Sequence, residues 1–465
     1  MGVICSTLAM APVHFDREKV FRVKLQDEKQ SSILKDLTQT IELDFWYPDA
    51  IHDIAVNMTV DFRVSEKDSQ TIQSTLEQHK IHYEGTGKQP KATIAYIVLG
   101  GALNPLTNSS GGVVSLWLLS GDHYQNSTNS ILTVDAFKIL IQDLQEEIDK
   151  QFDVKDEIAG RHSYAKYNDW DKIVSWTEKM VEKHPEMVSR IKIGSTVEDN
   201  PLYVLKVGKK DGERKGIFMD CGIHAREWVS PAFCQWFVYQ ATKSYGKNKI
   251  MTKLLDRMNF YVLPVYNVDG YIWTWTQDRM WRKNRSKNQN STCIGTDLNR
   301  NFDVSWDSSP NTDNPCQAVY RGPAPESEKE TKAVTNFIRS HLNSIKAYIT
   351  FHSYSQMLLI PYGYTIELPP NHQDLMKVAR IATDVLSTRY ETRYIYGPIA
   401  STIYKTSGSS LDWAYDLGIK HTFAFELRDK GKFGFLLPES RIKPTCKETM
   451  LSVKFIAKYI LKHTP

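Results

Sequence analysis

Four short runs, "GIFMDCG" (216–222), "FYVLPVYNV" (260–268), "IKAYITFHS" (345–353) and "HTFAFEL" (421–427), are apolar along almost their whole length. They lack the apolar–polar alternation of a strand with one wet face. Each is therefore expected to be a strand covered on both sides. Helical spacing fills the intervals: "WDKIVSWTEKMVEKH", "PAFCQWFVYQATKSYG", "SEKETKAVTNFIRSHL", "QDLMKVARIATDVLSTRY" and, last, "TCKETMLSVKFIAKYILKH". Strands and helices in alternation predict an α/β domain, a mixed central sheet with helices on both faces.

The chain before this domain has another character. "REKVFRVKL" alternates like a strand, "DEKQSSILKDLTQTIELDFW" has helix-like spacing, "NMTVDFRV" reads as a strand and "EKDSQTIQSTLEQHKI" as a helix. That order, strand–helix–strand–helix, predicts a small separate α/β domain. From 85 to 138 charge nearly vanishes and Gly, Ser and Asn accumulate; charged helical spacing resumes at "LIQDLQEEIDKQF". Residues 1–157 carry 14 basic and 23 acidic residues, which leaves 44 and 31 in 158–465. Halves of opposite sign attract each other, and the basic half is suited to polyanions. No run approaches the ~18 apolar residues of a membrane helix; "IAYIVLGGALNPL" is shorter and holds Asn104 and Pro105.

Of six cysteines, Cys221 and Cys234, and Cys293 and Cys316, form two closely spaced pairs that can close loops in an oxidising compartment, with no CxxC knuckle. Sequons stand at Asn57, Asn108, Asn126, Asn284 and Asn290. "MGVICSTLAMA" ends like a signal-cleavage site but lacks a basic start and has a short apolar core, so residues 1–9 read as a short signal remnant.

Polar side chains gather where an α/β sheet places its chemistry, at strand ends. His224, Arg226 and Glu227 follow the first apolar run, His352 ends the third, Glu426 lies in the fourth, and "GTDLNRNF" supplies Asn299 and Arg300. A lone histidine in such a place is usually structural. Two histidines and a glutamate together are the ligand set of a zinc site with one open position. Glu426 would then be a general base. No GxSxG elbow, activated cysteine motif or phosphate-binding glycine loop competes. "RMWRKNRSK" (279–287) fits a nucleic-acid or heparin patch, a source of arginines for a substrate anion, or a solvated loop.

The motifs "HAREW", "RMWRKNRS", "GTDLNRNF", "FHSYSQ", "IYKTSGSSLDWAYD" and "FAFELRD" resemble those of the pancreatic-type zinc carboxypeptidases of the A/B family, in order and spacing. The resemblance covers 158–465 as the catalytic domain and, less densely, 10–157 as an activation propeptide. It implies one zinc ion held by His224, Glu227 and His352, with Glu426 as general base. It implies that Arg282 polarises the scissile carbonyl, that Arg226 and Arg279 make outer substrate contacts, and that Asn299, Arg300 and Tyr404 grip the free C-terminal carboxylate. Leu411, before Asp412-Trp413, matches the floor of the side-chain pocket, where an acidic residue would select Lys and Arg. Leucine implies release of apolar or aromatic residues. Cys293–Cys316 matches a disulfide common in the family, and Cys221–Cys234 one found in some members.

The resemblance further implies a zymogen inhibited by its own propeptide, released near Glu157–Ile158, in the secretory pathway or a secretory granule. Peptides and proteins with a free C-terminus are the expected partners. The basic catalytic half adds a heparin-like proteoglycan; neither nucleic acid nor a membrane span is expected. The block 85–138 departs from the family pattern. It reads as an alternative or mis-assigned exon, against the alternative of an extra surface loop. Two rival functions are a B-type enzyme acting on basic residues and a catalytically silent carboxypeptidase-like binding protein.

Overall fold

The computed structural model describes residues 11–81, 95–99, 102–106, 138–152, 161–210, 212, 214–308 and 312–464. The N-terminal unit runs β1 (Lys19–Lys24), α1 (Glu28–Leu37), β2 (Leu43–Tyr47), β3 (Thr59–Val64) and α2 (Glu66–Gln78). Helix α1 starts where the Asp27 side chain accepts from the Gln30 N–H, a standard cap. The helix-like spacing predicted through Trp46 does not hold: α1 stops at Leu37 and Leu43–Tyr47 is a strand. Thr38, Gln39 and Thr40 interrupt the helix, and the aromatic run Phe45-Trp46-Tyr47 suits a pleated surface better than a helix. The expected strand–helix–strand–helix order thus gains a strand.

Within the low-charge block, β4 (Ala95–Leu99) and β5 (Ala102–Leu106) pair antiparallel. The rest of that block lies outside the described residues, as do the signal remnant 1–9 and the release bond Glu157–Ile158. After it, β6 (Lys138–Ile141) pairs antiparallel with β1, giving one sheet of order β2-β3-β1-β6, and α3 (Leu144–Phe152) follows. The block therefore connects α2 to the last strand of a single sheet. Phe21, Val23, Phe62, Ile72 and Leu76 are buried in its core.

The second unit runs α4 (Trp170–Lys183), β7 (Val188–Ser195), β8 (Pro201–Val207), β9 (Lys215–Cys221), α5 (Val229–Ser244), α6 (Lys249–Arg257), β10 (Met258–Leu263) and α7 (Val268–Thr276). It continues with α8 (Lys329–Ser340), β11 (Ile345–Ser353), β12 (Met357–Ile360), α9 (His372–Tyr390), β13 (Ile395–Pro398), α10 (Ile399–Thr402), α11 (Ser410–Asp416), β14 (Thr422–Leu427) and α12 (Ile442–His463). Its eight strands lie in the order β13-β12-β14-β11-β9-β10-β8-β7. The four runs expected to be buried on both faces are β9, β10, β11 and β14, and each adjacent pair among them is parallel. The flanking β7, β8 and β12 pair antiparallel, so the sheet is mixed as expected.

The pleat sends alternate residues to opposite faces. Ile217, Met219, Ile349, Phe351, Phe423 and Phe425 join one core. Phe218 and Tyr348 join the other with Phe337 and Trp413. Asp220, Thr350 and His352 have the parity of Phe218 and Tyr348, and Glu426 is register partner of His352. Polar groups of three adjacent strands therefore share one face.

Candidate active site

His224 and Glu227 lie in the tight connection between β9 and α5. Gly222 opens it with φ +69°, a conformation a side chain resists. Ser230 pins it twice: its Oγ accepts the Gly222 N–H and donates to the Phe351 carbonyl of β11. The Cys221–Cys234 disulfide joins the end of β9 to α5 across the same turn, and Cys293–Cys316 closes the second expected loop. Cys446 is a free thiol buried in α12. His352 and Glu426 come from the ends of β11 and β14. Asn299 and Arg300, expected at a strand end, instead occupy the short 3-10 turn Leu298–Arg300 in the connection from α7 to α8.

The Nδ1 atoms of His224 and His352 lie 3.2 Å apart, and the Glu227 carboxylate reaches them at 2.7 and 3.4 Å. One ligand atom from each of the three falls within 4.8 Å of the others, and all three residues are buried. Two imidazole nitrogens and a carboxylate oxygen pointing at one spot repel unless a cation sits among them. The residues thus fit a metal ion. The two-histidine, one-glutamate set is the established zinc ligand set of carboxypeptidase A. Burial would raise Glu227, but the two histidines overrule it and hold its carboxyl well down. Glu426 goes the other way: burial, then Glu227 and Asp49, push its carboxyl up.

Asp297, two residues before Asn299, joins the site although it was not among the expected residues. Its Oδ1 is 3.2 Å from His224 Nε2, and its Oδ2 accepts from Arg282 Nε and Nη2 at 3.1 and 2.9 Å. Burial opposes its charge, but Arg282, His224 and Arg300 hold it well below the usual range. Its signal in the sequence is the acidic residue inside "GTDLNRNF".

The other expected contacts meet the N-terminal unit. After β2 the chain turns through Pro48, and Asp49 enters the cleft. Its Oδ2 accepts from Tyr404 Oη at 2.7 Å, Arg282 Nη2 at 2.9 Å and Arg300 Nη2 at 3.3 Å. Arg226 Nη1 donates to both oxygens of Asp44 at 3.1 and 3.3 Å. Trp46 packs on Phe435, their ring centroids 5.0 Å apart. Asp61, fully buried in β3, accepts from Arg22 and from Tyr354 Oη, each at 2.6 Å. Arg279 stands apart from these carboxylates. It lies over Trp228 and donates to Gln151 of α3 and to the carbonyls of Arg226 and Phe435. Asn299 Oδ1 accepts the Ser410 N–H. Leu411 is buried with Met357, Leu359, Ile399 and Ala424, and Tyr47 and Ile403 pack against this group.

A mixed eight-stranded sheet bearing a buried His–Glu–His cluster, and covered by a small α/β unit that fills its cleft, defines a zinc carboxypeptidase in zymogen form. The zinc carboxypeptidase family model matches residues 173–452 and the carboxypeptidase activation peptide model residues 21–86. The chain belongs to the zinc carboxypeptidase family, and its N-terminal domain is a built-in inhibitor.

It is 82% identical to mast cell carboxypeptidase A of Rattus norvegicus over 464 residues, spanning 100% of both chains. It is 72% identical to the Homo sapiens protein of that name, over 100% of this chain and 98% of the relative. Carboxypeptidase B of Bos taurus is 46% identical over 97% of this chain and 95% of its own. A crystal structure of thrombin activatable fibrinolysis inhibitor superposes with a TM-score of 0.81 at 38% identity, covering 97% of this chain and 100% of that one.

Proposed function

We propose that the mature enzyme removes single apolar or aromatic residues from the C-termini of peptides and proteins, with Asn299, Arg300 and Tyr404 gripping the terminal carboxylate. One observation carries this reading: in the zymogen a carboxylate, that of Asp49, already sits on Arg300, Tyr404 and Arg282. A planar guanidinium beside a hydroxyl suits a carboxylate, and a chain end supplies one where an internal peptide bond does not.

When bound, zinc supplies Lewis acidity toward a carbonyl and lowers the pKa of water. The remaining steps belong to side chains. Arg282, fixed by Asp297, holds the oxygen of the scissile carbonyl as negative charge grows on it, a role worth ~3–4 kcal/mol per donor in comparable sites. Glu426 takes a proton from the attacking water and passes it to the leaving nitrogen; the peptide bond breaks and the terminal amino acid departs. Arg226 and Arg279 contact residues further from the cut. Leu411, with Ile403 and Ala424, gives an apolar pocket that excludes a buried charge but separates similar apolar side chains poorly.

Paired substrates ending in Phe and Lys, assayed with and without a chelator, test this. Fast, chelator-sensitive release of Phe is expected. Faster release of Lys would favour the B-type reading, and no release of either would favour a silent binding protein.

The propeptide is assigned to 10–157 and the catalytic domain to 158–465. Secretion, with storage in a granule, accords with the two disulfides. A heparin-like proteoglycan is the proposed storage partner. A cleft of about 840 Å³ has Arg214, Lys249, Lys253, Arg257, Lys458 and Lys462 in its wall, together with Asp256 and the apolar Ile250, Leu254 and Leu461. Lys215, which opens β9, also lines it, so it lies at the end of the sheet away from His224. Salt-dependent retention on a heparin column that falls when Lys249 and Lys253 become Glu is expected; elution below physiological salt would contradict the assignment.

A further inference from the structure

Asp220 is an anomaly in the apolar strand β9. Its side chain is fully buried, and no lysine or arginine pairs with it among the described residues. A carboxylate in that position is costly unless something nearby offsets it.

The register explains what it meets. Asp220 is directly opposite Thr350 of β11, on the same face. Thr350 Oγ1 donates to Asp220 Oδ1 at 2.8 Å and lies 3.2 Å from His352 Nε2. His352 is two residues beyond Thr350 and so on the same side of the strand. The oxygen that gives its proton to Asp220 has a lone pair left for the imidazole N–H. His352 Nε2 therefore carries the proton and Nδ1, the atom facing His224 and Glu227, carries the free lone pair.

His224 has the matching arrangement with one link fewer. Its Nε2 lies 3.2 Å from Asp297 Oδ1, and its Nδ1 faces the cluster. Each histidine of the site is thus backed by a carboxylate, one directly and one through a hydroxyl.

We propose that Asp220 and Thr350 are positioning residues that set the tautomer and ring orientation of His352 and raise its affinity for the metal ion. This rests on the reading of His224, Glu227 and His352 as a zinc site. Removal of such outer partners typically weakens metal binding by about 10–100-fold.

The test measures zinc affinity of the full-length zymogen by competition with a chromophoric chelator, together with the melting temperature of the zinc-free protein. Thr350→Val keeps the branched shape and deletes the hydroxyl; Thr350→Ser keeps the hydroxyl. Zinc binding about 10–100-fold weaker in T350V and near wild-type in T350S is expected, alongside a lower zinc-free melting temperature in T350V because the buried Asp220 carboxylate loses its donor. Wild-type zinc affinity in T350V would overturn the proposal, as would a loss confined to zinc-free stability. If T350V does not fold, Asp220→Leu decides: it removes the acceptor that turns the Thr350 proton away from His352, and unchanged zinc affinity would overturn the proposal. Failure of the wild-type zymogen to bind zinc would instead strike at the zinc-site reading.

Discussion

Replacing Asp49 by Asn should partly unlock the zymogen. The carboxylate accepts from two guanidinium groups and one phenol, and its side chain is only 17% exposed. Removing one partner of a buried ion pair costs about 3–5 kcal/mol. Asparagine is the same size and still offers one oxygen, so about 2–3 kcal/mol is the expected loss, the difference between charged and neutral hydrogen bonds. The inhibitor is in the same chain, so this loss acts on the equilibrium between closed and open cleft. At 1.4 kcal/mol per decade it raises the open population by roughly 30–150-fold. Hydrolysis of a small peptide ending in Phe by the uncleaved zymogen should rise by that factor, to a ceiling set by the mature enzyme. After proteolytic activation, D49N and wild type should be indistinguishable. Basal activity within about twofold of wild type would refute the view that Asp49 stands in for a substrate carboxylate.

Arg300→Ala in the mature enzyme should cut kcat/KM for a free-acid peptide by roughly 100-fold or more, and preference for the acid over its C-terminal amide should collapse. Leu411→Asp should lower the Phe-to-Lys ratio of kcat/KM by at least about 100-fold, read with paired substrates. The closed zymogen should be tightest in mild acid. Burial, more than Asp49, lifts Asp53 to about 7 against Arg300 and Lys35, so its contribution to docking is full below about 4 and is lost as pH rises to about 7. Burial also opposes Asp44 and Asp49, but their arginines hold both below the ordinary range, so their contribution is lost only as pH falls under about 4. Hydrogen exchange of residues 44–53, corrected for intrinsic rates, should be slower at pH 5 than at pH 8. Among the sequons, Asn284 is fully buried and donates to Glu328 and Glu330, whereas Asn57 and Asn290 are exposed. Glycopeptide mapping of secreted protein should find Asn284 bare.

The central strands were legible because burial on both faces leaves an unbroken apolar run. The helices between them were legible by their period. The outer β7, with its alternating Arg190 and Lys192, carries a weaker signal, and β2 was hidden because Leu34, Leu37 and Ile41 continue helical spacing past the end of α1. The metal cluster was legible as residue types in recurring motifs. Asp297 and Asp220 were not, because an acidic residue near a strand end gives no hint of which imidazole it will meet. Asp49 was the least visible. "YPDA" reads as an ordinary turn, and only docking of one domain on the other gives that carboxylate a purpose.

The His352–Glu426 register has a consequence for biogenesis. The site draws on strands 215–221, 345–353 and 422–427, joined by long crossovers, and parallel pairings of such separation form late. Because side chains alternate, a slip of one residue between β11 and β14 would send one group to the wrong face. A nascent chain that ends before 422–427 lacks Glu426 and cannot hold the pair. The residues of the complete site are therefore present only after the whole N-terminal domain has been made.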